Sequence, residues 1–416
     1  MLRWSFLLGL VLCLVGRAAF ASLPPWATGE SHGEDLVVSL ATFGPGDDVA
    51  SWFGHTALVV EDRRLNHARL YNYGMFKFDE TMLARFAMGR LTFWVGEDGV
   101  MSTLRFYQYL DRDVRIQELN LVPERRLVLA KALADNVLPQ NREYRYHHYD
   151  DNCATRPRDL IDRVIDGQLK QATGGPARMS LRDHTRRHSA VSPPMSLLLD
   201  FLMNDEIDRP ITQAQEAFLP EELEKQVAAL SYLDATGKPT PLVARSWTYF
   251  DAARPPLPKT PPAYGPWMLL LGTALGVLPL ALGLRGLARR GPRIAFALHS
   301  ALVGLVLGLP GLALFIMWVA TEHTVTWRNE NLFFANPFTF AALPLGIAAA
   351  VGSQRARRWL FWLWRGLAAV GLLGLCVKVI PVFNQDNWRL IALLLPVGLG
   401  CAAASWLERK QGGEQK

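Results

Sequence analysis

The stretch "YDDNCATRPRDL" at 149–160 holds Cys153 among two aspartates and two arginines. The thiolate is the reactive form of cysteine, and a helix N-terminus or a nearby cation lowers a thiol pKa from ~8.5 toward neutrality. Pro157 is tolerated only in a first helical turn. The spacing therefore predicts a helix beginning near Thr155, with Thr155 as its cap and Cys153 in the turn just ahead. Arg156 and Arg158 favour the thiolate and Asp150 and Asp151 oppose it, so the sequence leaves the sign open. The alternative is a buried structural cysteine.

A nucleophilic cysteine needs a base, normally histidine, that the fold brings close. His32, His55, His67, His147, His148, His184 and His188 are the candidates before the apolar C-terminal region. His55 in "SWFGHTALVV" follows a glycine at the mouth of an expected strand, where a rigid backbone can aim an imidazole. Its alternative is a polar residue on a strand edge. His147 and His148 stand too near Cys153 in an extended segment to be easy partners, and His184 and His188 bracket a basic stretch expected to be solvated.

The elements that must position these groups are mixed. "DLVVSLAT" (35–42), "HTALVVED" (55–62) and "RLYNYGM" (69–75) are short, rich in β-branched or aromatic residues and bounded by turn formers, which predicts strands. "FDETMLARFAMGR" (78–90) changes to helical spacing and "LTFWVG" (91–96) returns to strand. Helices are expected over 122–138, 157–166 and 219–230. The fold class is α+β.

Around this region the chain reads as exported and anchored. Arg3, an apolar run from Phe6 to Val15 and Ala19-Phe20-Ala21 predict a signal peptide over 1–21 cut before Ser22, or an uncleaved anchor with the same topology. A periplasmic domain over 22–252 is followed by a proline-rich linker at 253–265. Apolar runs near 266–284, 294–319, 337–352, 359–381 and 390–407 predict five spans within 266–407, the third short enough to be re-entrant, and a cytoplasmic tail at 408–416. Arginines cluster after the first and third runs and basic residues end the chain, whereas the alternate loops are mixed in charge. The net charge of +6 is mostly of this topogenic kind and is no argument for nucleic acid.

Cys13 leaves with the signal, and Cys376 and Cys401 fall in expected spans, so the exported domain keeps Cys153 alone. In an oxidising compartment an unpaired thiol is a liability unless it is used or buried. The histidines lack ligand spacing and there is no second cysteine, so no metal is expected. No glycine pattern for a nucleotide is present, and no cofactor is expected.

"WFGHTALVV" (52–60), "YNYGMFKFDETMLARFAMGRLTFWV" (71–95) and "YDDNCATRPRDL" (149–160), in that order, resemble the periplasmic domain of the Lnb-type lipoprotein N-acyltransferases. "TEHTVTWRNENLFFANP" (321–337) resembles that family's periplasmic loop. The family's cysteine and histidine fall on Cys153 and His55. The histidine-then-cysteine order is similar to circularly permuted papain-like folds of the NlpC and lecithin:retinol acyltransferase kind. There a polar residue on the next strand orients the histidine, which points to Asn72, with a turn or edge polar residue as the alternative and Asp151 as a weaker candidate. Tyr71, Tyr73 and Tyr146 read as packing aromatics.

The resemblance implies transfer of an acyl chain from a membrane phospholipid, through a Cys153 thioester, to the α-amine of a diacylglyceryl-cysteine lipoprotein at the bacterial inner membrane. Both substrates are anchored in the bilayer, so a tethered domain meets them at high effective concentration. His323, Arg328 and Asn331 are candidates for head-group contact, against the alternative of a solvated connector. Two other readings stay open: a papain-like amidase or endopeptidase acting on peptidoglycan peptides, and a non-catalytic membrane-anchored binding protein with a structural cysteine.

Overall fold

The computed structural model describes residues 23–77, 82–234, 236–287 and 289–413, except for the side chains of residues 82, 83 and 408–413. The expected signal segment lies outside the described residues. The chain forms two compact units, one of residues up to 77 with 91–178 and 212–255, the other of 78–90, 179–211 and 256–416.

The first unit is built on an antiparallel sheet. Its strands are β1 (Leu36–Phe43), β2 (His55–Asp62), β3 (His67–Met75), β4 (Thr92–Asp98), β5 (Val114–Leu119), β6 (Glu143–Arg145) and β9 (Val243–Phe250), with β7 (Ser231–Leu233) and β8 (Pro239–Pro241) forming a separate ribbon. The spatial order is β6-β4-β3-β2-β1-β5-β9. β1, "LVVSLATF", is buried along its whole length, which is why it reads as nearly continuous apolar sequence.

Period-two alternation assigns the two faces. Val38, Leu40, Leu58, Val60, Tyr71 and Tyr73 pack with Leu129 and Leu133 of the helix Pro123–Asn136, Leu160 and Ile161 of Thr155–Val164, and Leu223 and Val227 of Pro220–Ala229. The alternate residues Ala41, Phe43, Ala57, Leu70 and Ile116 pack with Leu104 of the helix Val100–Tyr109. Each such buried aliphatic side chain contributes on the order of 1.5–3 kcal/mol. The expected strands and helices are present within a few residues, apart from 78–81 of the expected helix over 78–90, which lie outside the described residues. β5, β6, β9 and the helix Val100–Tyr109 were not anticipated, and β9 is mostly exposed at the sheet edge, so its sequence carries no strong apolar alternation.

The second unit is helical. Gly265–Leu284, Arg290–Ala320, Gln354–Val379 and Trp388–Leu407 are long and apolar enough to cross a membrane. The short third run is part of a pair, Thr324–Phe333 and Pro337–Ala350, bent by 61°, so the spans number four, or five if the pair counts as one. The first and last of these helices touch backbone to backbone. A Cβ on Gly276 would lie 2.2 Å from the Pro396 carbonyl oxygen, so only glycine permits the approach.

Residues 179–211 join this unit through buried charge. The basic helix Leu181–His188, expected to be solvated, is instead buried, with Arg182 and His188 each 1% exposed. The reason is a set of aspartates placed opposite. Asp200 accepts from Arg182 Nη1 at 3.1 Å and Arg186 Nε at 2.9 Å, Asp208 accepts from Arg182 Nη2 at 3.0 Å, and Arg186 donates to the Asp386 carbonyl at 2.8 Å. Asn204 and Asn329 add side-chain bonds to the carbonyls of Trp327 and Leu202, each at 2.9 Å. Two stretches within 22–252, expected as a single periplasmic domain, cluster with the helices.

Candidate active site

The helix after the cysteine starts at Thr155, as Pro157 requires. Its cap is Asn152 rather than Thr155: the Asn152 Oδ1 accepts from the backbone N–H groups of Ala154 and Thr155 at 2.8 and 2.9 Å. Thr155 Oγ1 reciprocates by accepting from Asn152 N–H at 2.8 Å. Asn152 also donates to the carbonyls of His148 and Phe218, so the turn that carries Cys153 is anchored on both sides.

The ionisable side chains flanking Cys153 are engaged with one another. Arg156 Nη2 donates to Asp151 at 2.9 Å while its guanidinium lies 3.6 Å from the Tyr144 ring centre, His147 pairs with Asp150 at 2.9 Å, and Arg158 pairs with Asp159 at 2.8 Å. This pairing occupies Asp151, the weaker candidate for orienting the histidine.

Cys153 is half-buried, and the backbone N–H of Thr56, the residue after His55 at the start of β2, favours its thiolate. Burial pushes the thiol pKa up to about 11, opposed by that N–H, by the charge of Arg112 and by the N–H of Cys153 itself. At Gly74, φ is +89° in the irregular part of β3, a backbone that favours glycine. A Cβ built there would meet Cys153 Cβ at 3.7 Å and the Tyr144 hydroxyl at 3.9 Å. That hydroxyl is buried and has no hydrogen-bond partner among the described residues.

Register places the other groups. Ala57 pairs with Asn72, and Asn72 pairs with Gly96. His55, Asn72 and Asp98 are thus diagonal neighbours on one face of β2, β3 and β4, each two residues from the pairing position. Asn72 Oδ1 lies 3.1 Å from His55 Nε2, and Asn72 Nδ2 donates to Asp98 Oδ2 at 2.7 Å. A carboxylate only accepts, so Asp98 dictates which way the amide faces. The amide oxygen then requires the proton on Nε2, which leaves Nδ1 as the imidazole's acceptor. Burial lowers the His55 pKa to about 4, the charge of Arg112 adds to the fall, and the Asn72 bond opposes it. At neutral pH the Cys153 thiol is therefore protonated and the His55 imidazole neutral.

The expected packing aromatics pack: Trp26 donates to the Tyr71 hydroxyl at 3.0 Å, Asn136 to that of Tyr73 at 2.8 Å, and Tyr146 stacks on Phe93 at 4.3 Å between ring centres. Asp98, Arg112, Tyr144 and Asn152 were missed. Asp98 ends the strand next to that of Asn72, a signal readable only with the register known, and Asn152 stands one residue before the cysteine as a ready capping side chain. Among the described residues no cluster of His, Cys, Asp or Glu has metal-binding geometry.

Residues 22–187 match the Lnb N-terminal periplasmic domain, and residues 271–411 match the Lnb transmembrane domain. The chain belongs to the Lnb family. No curated protein and no solved structure matches it. As an Lnb-type chain it is a multi-pass membrane protein with a periplasmic domain, and Cys153, His55, Asn72 and Asp98 all lie within the stretch matched by the Lnb periplasmic domain.

The Lnb helical unit holds the loop residues expected at head groups. Asn331 is fully buried: it donates to the Phe201 carbonyl at 2.9 Å and accepts from Asn387 at 2.9 Å, so it fastens segments together and offers no atom to a head group. His323 Nε2 bonds the Phe86 carbonyl at 2.7 Å. Arg328 is exposed, with a φ of 52°.

Proposed function

We propose that this protein is a lipoprotein N-acyltransferase of the bacterial inner membrane that works through a Cys153 thioester. The observation that carries the reading is the His55–Asn72–Asp98 chain, which leaves Nδ1 as a base at the strand end where the Cys153 thiol sits. Its fusion to membrane helices supports substrates held in the bilayer.

In the first half-reaction the thiol proton passes to His55 Nδ1 as sulfur attacks an ester carbonyl of a phospholipid. The ester C–O bond breaks, a C–S bond forms, and the lysophospholipid alkoxide leaves with the proton from His55. In the second, the free α-amine of a diacylglyceryl-cysteine attacks the thioester and gives its proton to His55. The amide C–N bond forms as the acyl C–S bond breaks, and the departing thiolate recovers that proton. Splitting the transfer in two is what a covalent nucleophile provides. The Cys153 N–H and the Tyr144 hydroxyl, which flanks Gly74 together with Cys153, are the donors offered to the oxyanion of each tetrahedral intermediate. Arg328 is the exposed cation that the loop at 321–336 offers to lipid head groups.

The test is intact-mass spectrometry of purified protein incubated with phospholipid. A hydroxylamine-sensitive acyl adduct on Cys153, absent in Cys153→Ser, much slower in His55→Ala, and discharged by a diacylated lipopeptide, is the expected result. An adduct-free protein whose Cys153→Ser variant still functions in cells overturns the reading, and release of cleaved peptidoglycan peptides instead assigns a peptidase.

A further inference from the structure

Arg112 lies in the turn between the helix Val100–Tyr109 and β5, and it is 6% exposed. Its Nε donates to the Gly44 carbonyl at 2.7 Å, and its guanidinium carbon stands 4.7 Å from the centre of the Tyr107 ring. That ring lies 3.7 Å from Phe43 and 6.1 Å from the His55 imidazole, centre to centre, so the arginine and the histidine share one aromatic neighbour.

The nearby carboxylates are engaged elsewhere. Asp47 takes Arg254 at 2.6 Å, Asp113 takes Arg115 at 3.1 Å, and Asp111 accepts from the Ala253 N–H at 3.1 Å. Asp48 acts on Arg112 only at a distance and is itself exposed. Among the described residues no carboxylate forms an ion pair with Arg112, and its Nη2 is buried with no acceptor.

A buried cation without an anion is costly, and a neutral donor would hold the Gly44 carbonyl at less expense. The guanidinium also acts on both reacting groups, lowering the Cys153 thiol and the His55 imidazole. A guanidinium presents its donors in a planar fork that suits phosphate oxygens. In a glycerophospholipid the phosphate and the acyl esters share one glycerol, so an ester presented to Cys153 carries its phosphate to the edge of the site.

We propose that Arg112 is the receptor for the phosphodiester of the acyl donor, holding that group beside Cys153 through its unpartnered Nη2. The proposal rests on the phospholipid-donor reading above and adds a specificity determinant to it: phospholipids are selected over neutral glycerides.

The experiment has two arms, both on the full-length protein in neutral detergent. In the first, iodoacetamide alkylation of Cys153 is followed by mass spectrometry with glycerophosphoethanolamine or glycerol present. Protection by the phosphodiester alone, lost in Arg112→Gln, is expected; an unprotected wild-type protein overturns the proposal. In the second, thioester formation is compared for phosphatidylethanolamine and for the uncharged ester p-nitrophenyl palmitate. The ratio of the two kcat/KM values is expected to fall by about 10- to 100-fold in Arg112→Gln, the range for a hydrogen bond to a charged group. Arg112→Lys, which keeps the charge and fills the same space, is expected to fall between. An unchanged ratio in both variants overturns the proposal. A protected wild-type protein that no phospholipid acylates leaves the receptor standing and removes the donor reading instead.

Discussion

Asn72 donates its side-chain amide to Asp98 at 2.7 Å while its oxygen faces His55 at 3.1 Å, so a carboxylate two strands away sets the tautomer of the imidazole. Asp98 never touches the thiol. It acts by removing the amide's freedom to turn over.

Asp98→Ala is therefore expected to lower the rate of thioester formation by about 100-fold, the scale of a misoriented catalytic group. Asp98→Asn is expected to retain much of the rate, because an amide oxygen still accepts from Asn72 Nδ2. Single-turnover acylation compares them, and equal loss in the two variants would refute the orienting role.

The pH dependence follows from the same burial. His55 must be neutral to accept a proton, and its pKa is lowered to about 4, so the acid limb of kcat/KM is expected near pH 4 rather than near ~6.5. The stability sign agrees. Between these values the unfolded chain binds more protons at this histidine than the folded one, so stability rises with pH across the window and is lost on acidification toward pH 4. His55→Gln is expected to flatten that part of the stability profile in thermal unfolding scans.

Alkylation reports the thiol directly. With a pKa of about 11, Cys153 is expected to react slowly with iodoacetamide at neutral pH and to accelerate steadily into the alkaline range. Fast labelling below pH 6 would instead reveal a thiolate–imidazolium pair.

The Tyr144 hydroxyl, buried near Cys153 with no partner among the described residues, is expected to serve the oxyanion. Tyr144→Phe keeps the ring against Arg156 and removes the donor, and a fall in kcat of about 100-fold is expected. A change confined to KM would argue for lipid packing alone.

Asp200→Ala is expected to destabilise the helical unit by about 3–5 kcal/mol, because it leaves Arg182 and Arg186 buried without their shared carboxylate. Detergent-resistant fluorescence melting of the intact protein measures it, and an unshifted melting point would show that water satisfies both arginines.

Much of this was legible in the residues. "DLVVSLAT", "HTALVVED" and the helix after Cys153 declare themselves by local alternation, proline placement and capping groups, because those signals act over a few neighbouring residues. The burial of "LRDHTRRH" was not legible: a helix that is basic by composition reads as solvated until Asp200, Asp208 and Asp386 are brought against it.

The chain by itself determined a thiol at a helix start, a histidine at a strand start, and apolar runs long enough to span a bilayer. Tertiary structure decided that His55, Asn72 and Asp98 share a face, that Arg112 lies buried with no counter-ion among the described residues, and that Asp151 beside Cys153 is paired with Arg156. The physical reason is range: helix starts and apolar runs depend on adjacent residues, whereas sheet register and buried charge depend on partners set far apart along the chain and joined only by packing.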